Sequence, residues 1–224
     1  YFSDSNGILY AVNHDGTLKW SNNEKEGQNP LPFFSIAISP DGNTLYLPAL
    51  DKTLNAFDAQ SGLLKWEIPT GHQLVTTPLV DSDGNIYFVN LDSTGFRMRS
   101  VCPDGTVRWT SDQEIFYNVN FHMDGDGNLY AIGKDKNMLS FDYQGKLRWM
   151  APYLGDVWKN TIIGDNDGVI YFAFGYGQVH SFDQDDKLQF VWTLSGLPDW
   201  LEIGAISADS RLYSSGRYQF YCIE

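Results

Sequence analysis

Ala56-Phe57-Asp58-Ala59-Gln60-Ser61-Gly62-Leu63-Leu64-Lys65-Trp66 is the stretch that decides the fold, because it returns with small changes along the whole chain. Related copies occupy residues 11–20 (AVNHDGTLKW), 100–109 (SVCPDGTVRW), 140–149 (SFDYQGKLRW) and 181–192 (SFDQDDKLQFVW), with a truncated copy at Cys222-Ile223-Glu224. Successive tryptophans stand 46, 43, 40 and 43 residues apart, a period in the range of propeller blades. A second marker keeps step with the first. An acidic or Asn/Gly turn precedes an aliphatic residue and a tyrosine at Tyr10, Tyr46, Tyr87, Tyr130, Tyr171 and Tyr213, so six repeats are visible.

Each repeat reads as one four-stranded antiparallel unit. Short β-branched and aromatic runs alternate with Asp-Gly, Asn-Gly and Gly-rich punctuation, and no segment sustains a helical period. In the third repeat the expected strands are residues 74–80, 85–90, 96–101 and 106–110. Such a unit cannot bury both faces alone and must stack on its neighbours. A column of small residues, Ala11, Ala56, Ser100, Ser140, Ser181 and Cys222, predicts a place where an indole from the adjacent blade packs closely. The apolar column beside it, Val12, Phe57, Val101, Phe141, Phe182 and Ile223, predicts filling between sheets. Trp20, Trp66, Trp109, Trp149 and Trp192 are expected to be buried between blades.

The pattern Ala-x-Asp-x-x-Ser/Thr-Gly-x-x-x-Trp resembles the tryptophan-docking motif of the pyrroloquinoline-quinone-type β-propeller repeats, and residues 56–66 match it at every defined position. The other copies depart from it: three are one residue shorter before the tryptophan, Asn13 and Cys102 replace the Asp, and Asp186 stands near the Gly position. The resemblance implies an all-β propeller of four-stranded blades, with the first and last blades incomplete, as a single domain over residues 1–224. It leaves function open, since this fold hosts quinone dehydrogenases, scaffolds of the outer-membrane assembly type and surface proteins. In the enzymes it implies an adjacent cysteine pair, a catalytic Asp and a calcium; no adjacent cysteines occur here. No cofactor and no catalytic residue is therefore expected, the alternative being a quinoprotein-like or other propeller enzyme whose catalytic residues lie outside this chain.

Composition narrows the partners. With 224 residues, 42% of them hydrophobic and 15% aromatic, the chain has enough apolar surface for a large core. Its net charge of −13 and the lack of any run of more than two cations exclude nucleic acid and anionic membrane as natural partners. No apolar run approaches the roughly 20 residues of a membrane helix, and no signal peptide is read at Tyr1. Tyr1-Phe2-Ser3 reads as the second strand of a blade whose first strand is missing, and the chain ends after a third strand, so a longer or processed chain is expected. Cys102 and Cys222 lie in third strands of different repeats and are expected to be free thiols.

Metal and nucleophile signatures are thin. His14, His72, His122 and His180 fall at different repeat positions and suggest no shared metal site. The runs Asp81-Ser82-Asp83-Gly84-Asn85, Asp124-Gly125-Asp126-Gly127-Asn128 and Asp165-Asn166-Asp167-Gly168 begin like calcium loops, but Ile86, Leu129 and Ile170 stand where the sixth position needs Gly. Tight hairpin turns explain them, and no metal is expected.

What does not repeat points to function. Tyr117, Trp158 and Trp200 each stand 13 residues before a marker tyrosine, with Phe33 and Phe34 near the matching place in repeat two. They are expected to ring one mouth of the channel. Asn118, Lys159 and Glu202 beside them differ from blade to blade, as directional contacts would. The competing reading is that these rings cap the core between blades. The expected function is a non-catalytic binding or scaffold propeller that recognises a protein segment or a glycan at this mouth. It is expected to be extracytoplasmic (secreted, cell-surface or periplasmic), monomeric and not inserted in a membrane.

Overall fold

The computed structural model describes every residue except 5, 24–35, 50, 72–75, 117–119, 153–160, 166, 175–177, 184–187, 194–201, 208–210, 216–219 and 224. Among the described residues all regular structure is β, in six antiparallel meanders whose strands pair in chain order. Sheet 1 is β1 (Phe2–Ser3), β2 (Leu9–Val12) and β3 (Leu18–Asn22). Sheet 2 is β4 (Ala37–Ile38), β5 (Thr44–Ala49), β6 (Thr53–Asp58) and β7 (Leu64–Pro69), and sheet 3 is β8 (Leu79–Val80), β9 (Ile86–Asp92), β10 (Gly95–Val101) and β11 (Val107–Glu114). Sheet 4 holds β12 (His122–Met123), β13 (Leu129–Ile132), β14 (Asn137–Phe141) and β15 (Leu147–Pro152). Sheet 5 holds β16 (Ile162–Gly164), β17 (Ile170–Phe174), β18 (Gln178–Phe182) and β19 (Leu188–Thr193). Sheet 6 ends the chain with β20 (Glu202–Ile206), β21 (Leu212–Ser215) and β22 (Phe220–Ile223). Two compact units divide these, residues 1–114 with sheets 1 to 3 and residues 115–224 with sheets 4 to 6.

One cross-strand row recurs. A marker tyrosine, the small residue and the indole stand side by side on strands two, three and four, as in Tyr46–Ala56–Trp66, Tyr87–Ser100–Trp109 and Tyr130–Ser140–Trp149. The rings of tyrosine and tryptophan close over the small residue, with centroids 5.8–5.9 Å apart. The small column therefore accommodates the indole of its own sheet, not that of the adjacent blade. A register shift directly after the small residue, seen in sheets 1 to 5, then turns the next side chain to the opposite face. Phe57, Val101, Phe141 and Phe182 are accordingly buried.

Neighbouring sheets of the first unit are joined by the other edge of the indole. Trp20 lies on the turn of sheet 2, where a Cβ on Gly62 would stand 2.6 Å from its ring, and its Nε1 donates to the Ala59 carbonyl at 3.2 Å. Gly62 has a φ of +75°, which glycine alone adopts freely. Trp66 repeats the joint on sheet 3, with 3.4 Å from its ring to a Cβ at Gly105 and a 2.9 Å bond from Nε1 to the Pro103 carbonyl. Below these joints lie two cores. Leu9, Leu45, Leu47 and Phe57 fill the space between sheets 1 and 2, and Tyr46, Leu54, Ile86, Phe88 and Val101 that between sheets 2 and 3.

Three expectations need correction. Trp20, Trp66, Trp109 and Trp149 are half-buried on the outer strands of their sheets, Trp20 and Trp66 with one ring face on a turn. In sheet 5 the residue opposite Ser181 is Phe190; two extra residues move Trp192 on to pair with Val179. Val12 is 44% exposed, on the face of sheet 1 turned away from sheet 2. The expectation for β1 holds in position: with β3 outermost and β2 third, β1 takes the second-strand place, and the Tyr1 ring lies 5.9 Å from the Trp20 ring as Tyr46 lies 5.8 Å from Trp66. The β1–β2 hairpin copies the pairing of a first with a second strand, Phe2 opposite Tyr10 as Leu79 is opposite Tyr87, while β2 meets β3 as a third strand, with Ala11 opposite Trp20. In sheet 6 Tyr213 pairs with Cys222, as a third strand requires.

Trp66→Ala removes an indole that bridges two sheets but is only half-buried, so its cost falls below the 3–5 kcal/mol of a fully buried tryptophan, at about 2–3 kcal/mol. Chemical denaturation of the two proteins measures it. A midpoint unchanged by the substitution would contradict the joint.

Candidate functional site

In the second unit the first strands β12, β16 and β20 lie side by side. Gly164 on β16 makes the approach close: a Cβ there would stand 2.6 Å from His122 Nε2 on β12. His122 also packs against Tyr130, with ring centroids 6.4 Å apart. Burial holds its pKa below the usual histidine value, against the pull of Asp124 in the other direction. The segment entering sheet 4 is pinned before it reaches β12, as Phe116 N–H donates to the Ile132 carbonyl at 2.7 Å and Ile115 bridges to Gly133. Ile115, Phe121 and Ile162 are buried beside it. The three segments that lead into these strands are the ones carrying the non-repeating aromatics.

Tyr117, Asn118, Trp158, Lys159 and Trp200 lie outside the described residues. Glu202 opens β20, where its backbone pairs with Ser215; its side chain is likewise not described. The flanks are in place: Phe116 and Asn120 around the first segment, Pro152 and Thr161 around the second.

The opposite ends of the sheets are built from hydrogen-bonded turns. Asp81 Oδ1 accepts the N–H groups of Asp83 (2.9 Å) and Asn85 (2.8 Å), while Oδ2 accepts Asn85 Nδ2 (2.9 Å) and the Tyr87 hydroxyl (2.8 Å). Asp124 repeats all four contacts with Asp126, Asn128 and Tyr130. Asp165 holds Asp167, Val169 and Tyr171 in the same way. A carboxylate met by four donors has no oxygen left facing outward for a cation, and the N–H dipoles around it oppose one. Sequence reasoning read these stretches as turns but missed the tyrosine. Its signal was available in the constant spacing of six residues from Asp to Tyr.

A second network was also missed. Arg108 Nη1 donates to the Tyr87 hydroxyl (3.0 Å) and Ser100 Oγ (2.8 Å), and Arg148 makes the same pair with Tyr130 (3.4 Å) and Ser140 (3.1 Å). Where the small residue is Ala11 or Ala56, the residue before the indole is Lys19 or Lys65; where it is Ser100 or Ser140, it is Arg. Each serine supplies an acceptor to a guanidinium, that of half-buried Arg108 or of exposed Arg148.

The family model described as outer membrane protein assembly factor BamB matches residues 5–195. The chain belongs to this family. Among solved structures, BamB from Moraxella catarrhalis superposes with a TM-score of 0.68 at 16% identity, covering 96% of this chain and 68% of that one. A protein of unknown function from Bacteroides caccae gives 0.58 at 13% identity, with 92% and 81% covered. No curated protein matches the sequence. Family and structural likeness together give the fold as a β-propeller of PQQ-type repeats. Among the described residues no helix is long and apolar enough to cross a membrane, and both cysteines, half-buried Cys102 and exposed Cys222, are free thiols.

Two outcomes follow from the turns. Calcium added after chelation will leave the melting temperature unchanged, whereas a folded-state ligand at 100 times its Kd would add about 2.7 kcal/mol. Burial, and then the bonds to Asp124 and Asp165, push the hydroxyls of Tyr130 and Tyr171 up to about 12. A raised folded-state pKa means that their contribution is complete below the ordinary value near 10 and disappears as pH rises through 12. Tyrosinate absorbance recorded with circular dichroism should show these two ionising late, together with loss of the fold. Early ionisation of both in an intact protein would refute the bonds.

Proposed function

We propose that this chain is a non-catalytic binding propeller that holds an extended segment of another protein at the loop-bearing end of its second unit. The convergence of β12, β16 and β20 carries the reading, because the segments entering these strands bear Tyr117, Trp158 and Trp200. Aromatic rings offer large apolar area with few torsions to freeze, and so anchor recognition at low entropic cost. Asn118, Lys159 and Glu202 supply the directional contacts, a cation and an anion among them, that fix the register of a bound chain. Membership of a family described as an outer-membrane assembly factor supports a protein ligand over a glycan and an extracytoplasmic location over a cytoplasmic one. Neither a metal nor a cofactor has a part in this reading, and the chain acts as a monomer.

Photo-crosslinkers at positions 117, 158 and 200, with controls at Asp41 and Asp104 on the turn-bearing end, test it in the source cell. Crosslinks to a protein from the first set only, lost when Trp158→Ala and Trp200→Ala are combined in a protein that melts as before, are the expected result. Crosslinking equal at both ends, or binding only to a glycan array, would overturn it. Collapse of the double variant would assign the rings to core capping.

A further inference from the structure

Sheet 3 carries two buried polar atoms without a hydrogen-bond partner among the described residues, Asn90 Oδ1 and Arg99 Nε. Asn90 is 0% exposed. Its orientation is fixed, because Nδ2 donates to the carbonyls of Thr70 (2.7 Å) and Leu91 (3.2 Å), and a flipped amide would set an oxygen against two oxygens. Oδ1 is thus an acceptor in need of a donor.

Arg99 is placed just as firmly. Its Cα stands opposite Phe88, yet its Nη2 reaches Asp92 Oδ2 at 3.4 Å. Phe88, Asn90 and Asp92 alternate onto one face of β9, with Asn90 in the middle. The arginine side chain that joins the two outer points therefore runs alongside Asn90. Donor and acceptor thus share one face of the sheet, on diagonal neighbours of two paired strands, and are not bonded to one another.

We infer that one hydroxyl-type oxygen, that of an ordered water, is seated between Asn90 Oδ1 and Arg99 Nε. Only such an atom accepts from the guanidinium and donates to the amide oxygen at once; a carboxylate or carbonyl cannot donate, and an ammonium cannot accept. Buried waters take such positions among otherwise unsatisfied groups. The seat belongs to this sheet in particular, since sheet 4 has Gly133 and Leu139 at the two corresponding places. Its surroundings give it a role. Thr70 is tied to the Lys52 carbonyl through N (2.8 Å) and Oγ1 (2.7 Å), and Thr76 Oγ1 accepts Val89 N–H at 2.9 Å. The water completes a network that fastens both ends of the link between sheets 2 and 3 to β9.

Crystals diffracting to about 1.5 Å, of the protein and of Arg99→Lys, test this. The variant keeps a cation for Asp92 but has no Nε. A density peak within about 2.7–3.2 Å of both atoms, present in the protein and lost in the variant, is expected. Direct bonding of Nε to Oδ1, a protein partner for either atom with no peak, or a peak unchanged in Arg99→Lys would each overturn the seat.

Discussion

The fold depends on an aromatic ring lying on a glycine. Trp20 covers Gly62 so closely that any side chain there would intrude on the indole, and the ring is then fixed by its N–H on the Ala59 carbonyl. The turn that offers this platform is itself held by Asp58, whose Oδ1 accepts from Gln60 N, Ser61 N and Ser61 Oγ. These bonds, that from Ser61 N–H foremost, lower the Asp58 pKa and keep it ionised. Sheets 1 and 2 thereby present a donor ring on the outer strand, and sheets 2 and 3 an acceptor platform on the outer turn. Stacking by this rule needs no information beyond the repeat itself, which is how a quasi-one-dimensional architecture grows.

Much of this was legible in residues 56–66. The glycine, the aspartate and the tryptophan define the joint, and their recurrence gave six sheets; in the third, the expected strands 85–90 and 96–101 fit β9 and β10 closely, whereas 74–80 shrinks to Leu79–Val80 and 106–110 runs on to Glu114. Illegible were the consequences of local length changes. Nothing in the run Leu9-Tyr10-Ala11-Val12 announces that a single strand serves two roles, because marker tyrosine and small residue are each present and merely adjacent. Likewise Phe190 and Val191 read as spacing before Trp192, whereas register places Phe190 in the indole's position. Pairing, not composition, decides such points. The candidate site was legible only as a departure from the repeat; its frame of converging first strands came from tertiary contacts that no single repeat encodes.

The two ends of the sheets divide the work. One end is uniform, with Asp, Gly and Tyr repeated in turns whose polar atoms are already consumed by one another. The other end is individual, with segments of differing length and sequence fastened at their bases by Thr70, Thr76, Ile115 and Phe116. A rigid scaffold under variable segments is the usual arrangement of binding proteins, and in the sequence Tyr117, Trp158 and Trp200 fall in the segments that lead into first strands.

The joint itself is the claim on which the rest stands, and a double-mutant cycle on Trp20 and Gly62 probes it most directly. Gly62→Ala both strains a positive φ and drives a methyl into the indole, while in a Trp20→Ala background only the strain, of about 1 kcal/mol, remains. The account predicts that the two substitutions couple by about 1 kcal/mol or more in chemical denaturation. Additive losses would show that ring and glycine do not meet, and would contradict the account.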